Sequence, residues 1–472
     1  MLTGQDRLGA EDAEILASET GTVVGHTLKV LVLDPPPDPR LFFRRLRTLV
    51  RDRLSQVPRL RQRPATLPLG LGRPVWVDDP HFDLDHHLRL SRWRRPLSAE
   101  DFQQRVAAAM ERPLDRRRPL WSLEMIHPLG AGRAGLIWKM HHCMADGLAT
   151  LSIGERLLWD AAGGETGPRR PSRWRPSPPP STAELLLGAL QEHGRRAVTL
   201  AEELPAALRA ARRLPLDVPG LARGAAAAAR ELMPLAGSSP LDAEVGRGRR
   251  VAFVQRPLQD LHGIAGSFGV RLTVNDVVLA AVAGGLRRWL ENRRASLDPL
   301  RVSVPVSLHH SSEPHALGNE VTDIHVDLPV QEPDPVRRLL AINAETSRRK
   351  VYDADVLDSL VRFSRLVPPL RRLLSALQAN PHVFSLAVSN LPGPRGPIWV
   401  AGVRVRELHS VVEVAQRHAL RVAAVSCDGL LSFGLCAASR AVPDLAGLAA
   451  GMEETIEELK AVASEQRPAG QK

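Results

Sequence analysis

His141-His142-Cys143-Met144-Ala145-Asp146-Gly147, the stretch HHCMADG, closes one apolar segment and opens another. Before it runs AGLIWKMH, residues 134 to 141, in which Leu136, Trp138 and Met140 fall on one face of an extended chain and Ile137, Lys139 and His141 on the other, because strand side chains alternate with period two. This predicts a strand, and one further extended residue would put His142 on the apolar face. After it, GLATLSIGERLLWD predicts a helix. A strand that stops at a histidine pair places imidazoles at the edge of a scaffold, where one ring can face a cavity while the backbone holds its position.

An imidazole with a pKa of about 6.5 takes a proton from an alcohol and returns it to a leaving group near neutral pH. Such general-base action contributes roughly a hundred- to ten-thousand-fold in rate. Asp146, four residues beyond His142, suits a salt bridge or the start of the helix, where a carboxylate meets free N–H groups; Gly147 is expected to permit a tight turn. Cys143 is a second nucleophile by chemistry, but alternation turns it away from His142, and packing is its expected role. Adjacent histidines are more often a solvated loop, which is the reading given to His309 and His310.

The 472-residue chain exceeds the roughly 250 to 300 residues at which single cores stop growing, so two core-forming halves are expected. Hydrophobic residues at 44% and charged residues at 24% describe an ordinary globular composition. A formal charge of +11 raises nucleic acid or an anionic surface as a partner. Only five of the 63 basic residues are Lys, however, and the Arg are spread among Ala and Pro. With no zinc-finger or RNP-like pattern beside them, nucleic-acid binding is not expected. Cys143, Cys427 and Cys436 form an odd set without CxxC spacing, which predicts neither disulfides nor a zinc site and fits a reducing compartment. The first twenty residues hold acids and no apolar core, and no run of about 18 apolar residues occurs, so neither secretion by a usual signal nor a membrane span is expected. No acidic residues sit at ligand spacing around the histidine pair, so no metal is expected.

Strands are predicted at 22–33 and 74–90, a basic helix from about Arg40 to Leu60, and a helix at Ser98–Arg112. At 163–182, GGETGPRRPSRWRPSPPPST is too rich in Pro, Gly, Ser and Arg to form a core. Ala183–Leu235 continues as Leu-, Ala- and Arg-rich helices broken by prolines, expected to cross between the halves, with a lipid-facing amphipathic surface as the rarer alternative. The second half begins near Arg249 with the strand RVAFV, followed by a long helix after TVND and strands near 301–307 and 320–330. Helices are expected over 334–380, strands near 383–389, 398–414 and 419–438, and a helix closes the chain. The expected division is 1–160, 161–245 and 246–472. Strands mixed with helices in both halves predict two α/β sandwich-like lobes.

Six further stretches stand in a recognisable order: FDLDHHLR (82–89), PLDRRRPLW (113–121), TVNDVVLAAVAGGLRRWL (273–290), VPVSL (304–308), GNEVT (318–322) and SNLPGP (389–394). HHxxxDG alone marks a broad superfamily of coenzyme A-dependent acyltransferases and condensation domains. With these stretches, and across nearly the full length, the chain resembles the bacterial wax ester synthase/diacylglycerol acyltransferase family. The resemblance implies an α/β (α+β) fold of two chloramphenicol-acetyltransferase-like lobes with mixed sheets and a tunnel between them. It implies acyl transfer from acyl-coenzyme A to the hydroxyl of diacylglycerol, with long-chain alcohols as a second acceptor. No cofactor is implied beyond that co-substrate. His142 would be the base for direct attack on the thioester, His141 a support and Asp146 structural. Asn275 is a candidate oxyanion donor, of equal weight with a helix-capping role for Thr273 or Asn275, and Asp276 reads as structural. Ser389 and Asn390 are tunnel candidates that a Pro-Gly turn would equally explain. Pro119, Leu120 and Trp121 read as packing and are associated in the family with the acyl pocket.

The chain departs from the family pattern in places. LGAEDAEILASET is an eroded amino-terminal motif, and TVVGHT replaces a Met-His-rich strand. Leu308 and His309 stand where an Arg is expected, Cys427 where an aromatic is frequent, and CAASR lacks an acid. These departures leave the base intact and bear on acceptor and chain length. A lipid substrate further implies a cytoplasmic protein touching the inner membrane or lipid droplets. Two other readings stay open: an acyltransferase drawing on a carrier protein, and a non-catalytic lipid-binding or droplet protein. The absence of a P-loop, of GxGxxG and of GxSxG sets aside nucleotide hydrolysis, hydride transfer and serine hydrolysis.

Overall fold

His26–Leu33 forms strand β1, and all eight residues are buried. A strand covered on both faces sits at the centre of a sheet, and in the computed structural model β1 lies between β6 (Ala134–His141) and β13 (Val403–Val412). The structure describes residues 7–67, 72–160, 174–191, 194–195, 198, 239–307, 321–352 and 383–466.

The first sheet has seven strands in the order β4 (Leu88–Leu97), β5 (Trp121–Leu129), β6, β1, β13, β12 (Trp399–Val400) and β7 (Trp159–Asp160). The second has six: β10 (Val321–Leu328), β9 (Leu300–Ser307), β11 (Leu386–Leu391), β14 (Leu420–Cys427), β15 (Leu430–Ala438) and β8 (Arg249–Pro257). A ribbon of β2 (Gln62–Ala65) and β3 (Val75–Asp78) completes the strands. Both large sheets mix parallel and antiparallel pairs. Strands β12 and β13, from late in the chain, are built into the first sheet, so the two lobes are interlocked by hydrogen bonds.

Local chemistry explains the helices. Asp38 accepts the N–H groups of Arg40 and Leu41 ahead of Pro39, starting α2 (Pro39–Arg53), since a capping oxygen satisfies donors that the first turn leaves free. Ser98 and Asp101 form a capping box at α4 (Ala99–Glu111). Helix α2 and α5 (Gly147–Leu157) share one core with Leu136, Trp138 and Met140 of β6. Ile137 points the other way, into a core with Phe102 and Val106 of α4, Val251 of β8 and Cys436 of β15. The alternation read from AGLIWKMH is therefore realised. In the second lobe α7 (Val274–Asn292) is apolar nearly all round and is buried between its sheet, α6 (Leu258–Ala265), α8 (Pro335–Tyr352) and α9 (Leu445–Gln466), as such a helix must be.

Two expectations need correction. The strand predicted over 74–90 is broken: β3 ends at Asp78, Asp79 accepts the N–H of His81, and Asp83 caps a one-turn helix, α3 (Leu84–His87). The basic helix predicted to Leu60 stops at Arg53 and gives way to two 3-10 turns around Pro58, whose ring cannot continue a helix. Most of the expected crossover, the helical reading beyond residue 352, and Leu308 and His309 lie outside the described residues.

Candidate active site

β6 ends at His141, and the backbone then turns. The His142 N–H donates to the Gly25 carbonyl at 2.8 Å and the Met144 N–H to the His141 carbonyl at 3.0 Å. The His141 N–H donates to the carbonyl of Leu120 at 2.9 Å, so Pro119-Leu120-Trp121 braces the pair from the neighbouring strand. All three of those residues are buried; Trp121 donates its indole N–H to the Leu60 carbonyl at 2.8 Å and stacks on His87 at 4.5 Å.

The two histidines differ in what holds them. His141 is fully buried, with Nε2 at 2.8 Å from Glu19 Oε1 and Nδ1 accepting the Cys143 N–H at 3.1 Å. His142 keeps partial exposure. Its Nδ1 is enclosed with no partner from another described residue. A proton on Nδ1 leaves Nε2 as the acceptor nitrogen. Burial first, then nearby positive charge led by Arg421, push the ring down to about 3.

Asp146 caps α5, accepting the Ala149 N–H at 2.7 Å. Its charge reaches Lys29, which is buried on β1, donates to Ser410 Oγ at 2.7 Å and is lowered by desolvation to about 8 despite that carboxylate. Arg421 stands on β14 of the other lobe and donates to the Glu413 carbonyl at 3.3 Å. His142 therefore lies where cations from both lobes converge. Such a field disfavours a resting imidazolium and favours an anion formed next to it.

Gly147 does not adopt the left-handed backbone expected of a turn glycine. It opens α5 instead, with the methyl end of Leu391 packed over it, 2.4 Å from where a Cβ would lie. Leu391 ends β11, so the stretch containing Ser389 and Asn390 meets HHCMADG, and both residues are partly exposed. Asn275 and Asp276 start α7. Thr273 and Asp276 form the capping box, and the Asp276 carboxylate also accepts from Thr346 at 2.7 Å and Asn343 at 3.1 Å. Capping thus falls to Thr273, and Asp276 is fully engaged. Asn275 is partly exposed and makes no side-chain hydrogen bond to another described residue; no bond joins either residue to the histidines. Cys143 is buried, and desolvation raises its thiol well above the ordinary range, which makes thiolate formation unfavourable. No group of three or more His, Cys, Asp or Glu residues able to hold a metal occurs among the described residues.

Sequence reasoning missed Glu19, Gly25, Lys29 and Arg421. They come from β1, the segment before it, and β14, far from the motif in sequence, and only pairing of β1 with β6 and apposition of the lobes bring them in.

The profile of the wax ester synthase/diacylglycerol acyltransferase catalytic domain matches residues 8–278, and that of the WS/DGAT C-terminal domain matches residues 317–460. A Mycobacterium tuberculosis protein named as a diacylglycerol O-acyltransferase is 32% identical over 98% of both chains. A second from that organism, tgs1, is 30% identical over 92% of this chain and 90% of its own. Among solved structures, the wax ester synthase/diacylglycerol acyltransferase from Marinobacter aquaeolei VT8 superposes with a TM-score of 0.68 at 24% identity, covering 97% of this chain and all of the other. The first condensation domain of the calcium-dependent antibiotic synthetase reaches 0.60 at 18% identity, over 98% and 97% of the two chains, so the two-lobed fold is shared more widely than the sequence. With both family profiles matched along its length and relatives of 30% identity or more aligned nearly end to end, the chain belongs to the wax ester synthase/diacylglycerol acyltransferase family.

Proposed function

We propose that the protein transfers a fatty acyl group from acyl-coenzyme A to the hydroxyl of diacylglycerol, forming triacylglycerol, with long-chain alcohols as a second acceptor and wax esters as their product. The observation that carries the mechanism is the contrast within the pair: His141 has both ring nitrogens engaged, whereas His142 keeps Nε2 and some exposure. The acceptor hydroxyl gives its proton to His142 Nε2 as its oxygen bonds to the thioester carbon. The carbon–sulfur bond then breaks, and the coenzyme A thiolate recovers the proton from His142. Arg421 and Lys29 supply positive potential for the oxyanion, and Asn275 is proposed as a direct donor. Ser389 and Asn390 would line the passage between the lobes, and Pro119, Leu120 and Trp121 would back the acyl chain. Acyl-coenzyme A acts as co-substrate, and the scheme requires no metal.

Purified protein incubated with palmitoyl-coenzyme A and either dioleoylglycerol or hexadecanol, with thiol and lipid product followed together, tests the reading. Ester formed with dioleoylglycerol supports it. Absence of ester from both acceptors, with transfer from an acylated carrier protein instead, would replace it.

The depressed His142 pKa gives a pH prediction. A group that must be unprotonated limits kcat/KM only below its own pKa in the free enzyme. With His142 at about 3, kcat/KM for palmitoyl-coenzyme A is expected to stay flat from about pH 8 to about pH 5. A decline of tenfold per unit beginning near 6.5 would contradict the placement of the ring. Stability falls as pH drops from about 6.5 to about 3, because in that interval the unfolded chain takes up a proton that the folded site refuses.

Apolar substrates also imply peripheral contact of a cytoplasmic protein with the inner membrane or droplets. No described helix is long and apolar enough to cross a membrane. β4 is an edge strand whose pairing with β5 is interrupted between Arg92 and Leu97, and there Arg92, Trp93, Arg94 and Arg95 are exposed, Trp93 by 47%. An indole among guanidinium groups suits an anionic lipid surface. Trp93→Ala with Arg94→Glu is expected to reduce co-sedimentation with phosphatidylglycerol vesicles at least threefold, and unchanged binding would move the contact elsewhere.

A further inference from the structure

The segment LGAEDAEILASET leads through α1 (Ala10–Ala17) to Glu19, and Glu19 is where three separate stretches of the sequence meet. We propose that Glu19 is a positioning residue for acyl transfer: by accepting the Nε2–H of His141 it fixes the tautomer and orientation of that ring, and through the shared backbone the placement of His142. The proposal rests on His142 being the base.

The geometry around Glu19 uses each of its oxygens. Oε1 lies 2.8 Å from His141 Nε2, and Oε2 accepts from Arg116 Nε at 2.6 Å. Arg116 belongs to PLDRRRPLW and also donates to the Leu16 carbonyl at 2.6 Å, so the arginine ties the end of α1 to that stretch. On the far side of the imidazole, Nδ1 receives the Cys143 N–H at 3.1 Å. A nitrogen that accepts a backbone N–H carries no proton itself, so the proton of the neutral ring sits on Nε2 and points at Glu19. The Cys143 N–H is the first backbone donor after His142. Rotation of the His141 ring would leave that donor and Nε2 unpaired in a fully buried site, at a cost comparable to losing buried hydrogen bonds.

Glu19 itself is held ionised for this role. Burial pushes its carboxyl up, but His141 and then Arg116 outweigh that and leave it below the ordinary carboxylate range. His26 stands edge-on to His141 with centroids 6.0 Å apart and donates its Nδ1–H to the Met110 carbonyl at 3.2 Å rather than to Glu19. Gly25, whose carbonyl receives the His142 N–H, follows Glu19 by six residues. One short segment therefore contacts both histidines, one by side chain and one by backbone.

Glu19→Ala, Glu19→Gln and wild type would be compared for kcat and KM with palmitoyl-coenzyme A, and the histidine tautomers read from long-range proton–nitrogen NMR spectra. Displacement of a reacting group by about 1 Å costs up to about a hundredfold, so Glu19→Ala is expected to lose ten- to a hundredfold in kcat with KM within about threefold. Glu19→Gln, whose amide oxygen still accepts the Nε2–H, is expected to recover most of that loss. The wild-type spectrum is expected to show the Nε2–H form of His141. An Nδ1–H form in wild type, an unchanged kcat in Glu19→Ala, or equal losses in Ala and Gln would overturn the proposal. The tautomer reading needs no turnover, so it separates failure of this inference from failure of the acyl-transfer assignment.

Discussion

Replacing His142 with alanine is expected to lower kcat for ester formation about 10²- to 10⁴-fold, the usual contribution of a positioned general base. KM for palmitoyl-coenzyme A should change by less than about threefold, because the imidazole acts on the acceptor hydroxyl. Folding should be little affected. The ring is partly exposed, and its Nδ1 has no hydrogen bond to another described residue, so truncation breaks no buried pair. Unchanged thermal unfolding with collapsed ester formation is the expected pattern, and a kcat within tenfold of wild type would remove His142 from the mechanism. His141→Ala would leave Glu19 and the Cys143 N–H without their buried partner, and should cost stability as well as rate.

The largest effect on stability is expected from Gly434→Val. Gly434 lies in β15 of the second sheet, and a Cβ built there would fall 2.0 Å from the backbone carbonyl oxygen of Ser410. Ser410 is on β13, which hydrogen-bonds to β1 in the first sheet and accepts from Lys29 through its hydroxyl. The two lobes are thus pressed together backbone against side-chain-free backbone. Neither sheet can withdraw cheaply, because Gly434 is held between β14 and β8 and Ser410 is paired with Lys29 of β1. Overpacking of a rigid interior costs about 1–3 kcal/mol and more where backbone must move; a valine here should cost about 3 kcal/mol or more. Denaturant unfolding checks it, and a loss below about 1 kcal/mol would mean that the sheets are not locked at this point.

How much of this was legible in the sequence follows the physical origin of each feature. The β6 strand was readable because Leu136, Trp138, Met140 and Ile137 alternate between two cores. The α7 helix was readable from its uninterrupted apolar run after TVND, whereas the Thr273–Asp276 box emerged only in the structure. β4 was hidden inside LRLSRWRRPL, an edge strand with little apolar alternation, and the break near Asp83 depended on side chains capping a single turn. At the site, Asp146 was legible as either a salt-bridge partner or a helix start, and the structure shows it capping α5. Gly147, expected in a turn, opens α5 instead, under Leu391 from some 240 residues later. Glu19, Lys29 and Arg421 carried no local signal: a glutamate before a short loop, a lysine in an apolar strand and an arginine in another acquire roles only when the sheets form. The insertion of β12 and β13 into the first sheet was invisible for the same reason, since register between distant strands is not encoded in either one.

In the proposed mechanism the acceptor hydroxyl attacks the thioester directly, with its proton going to His142 and no acyl group passing through the protein. Intact-protein mass spectrometry after incubation with palmitoyl-coenzyme A, with and without dioleoylglycerol, tests it most directly when free thiol is measured in the same samples. The prediction is an unmodified protein in both, little thiol without acceptor, and thiol equal to triacylglycerol with it. A palmitoyl adduct on the protein formed without acceptor, and lost in Cys143→Ser, would contradict the account and make the buried thiol the nucleophile.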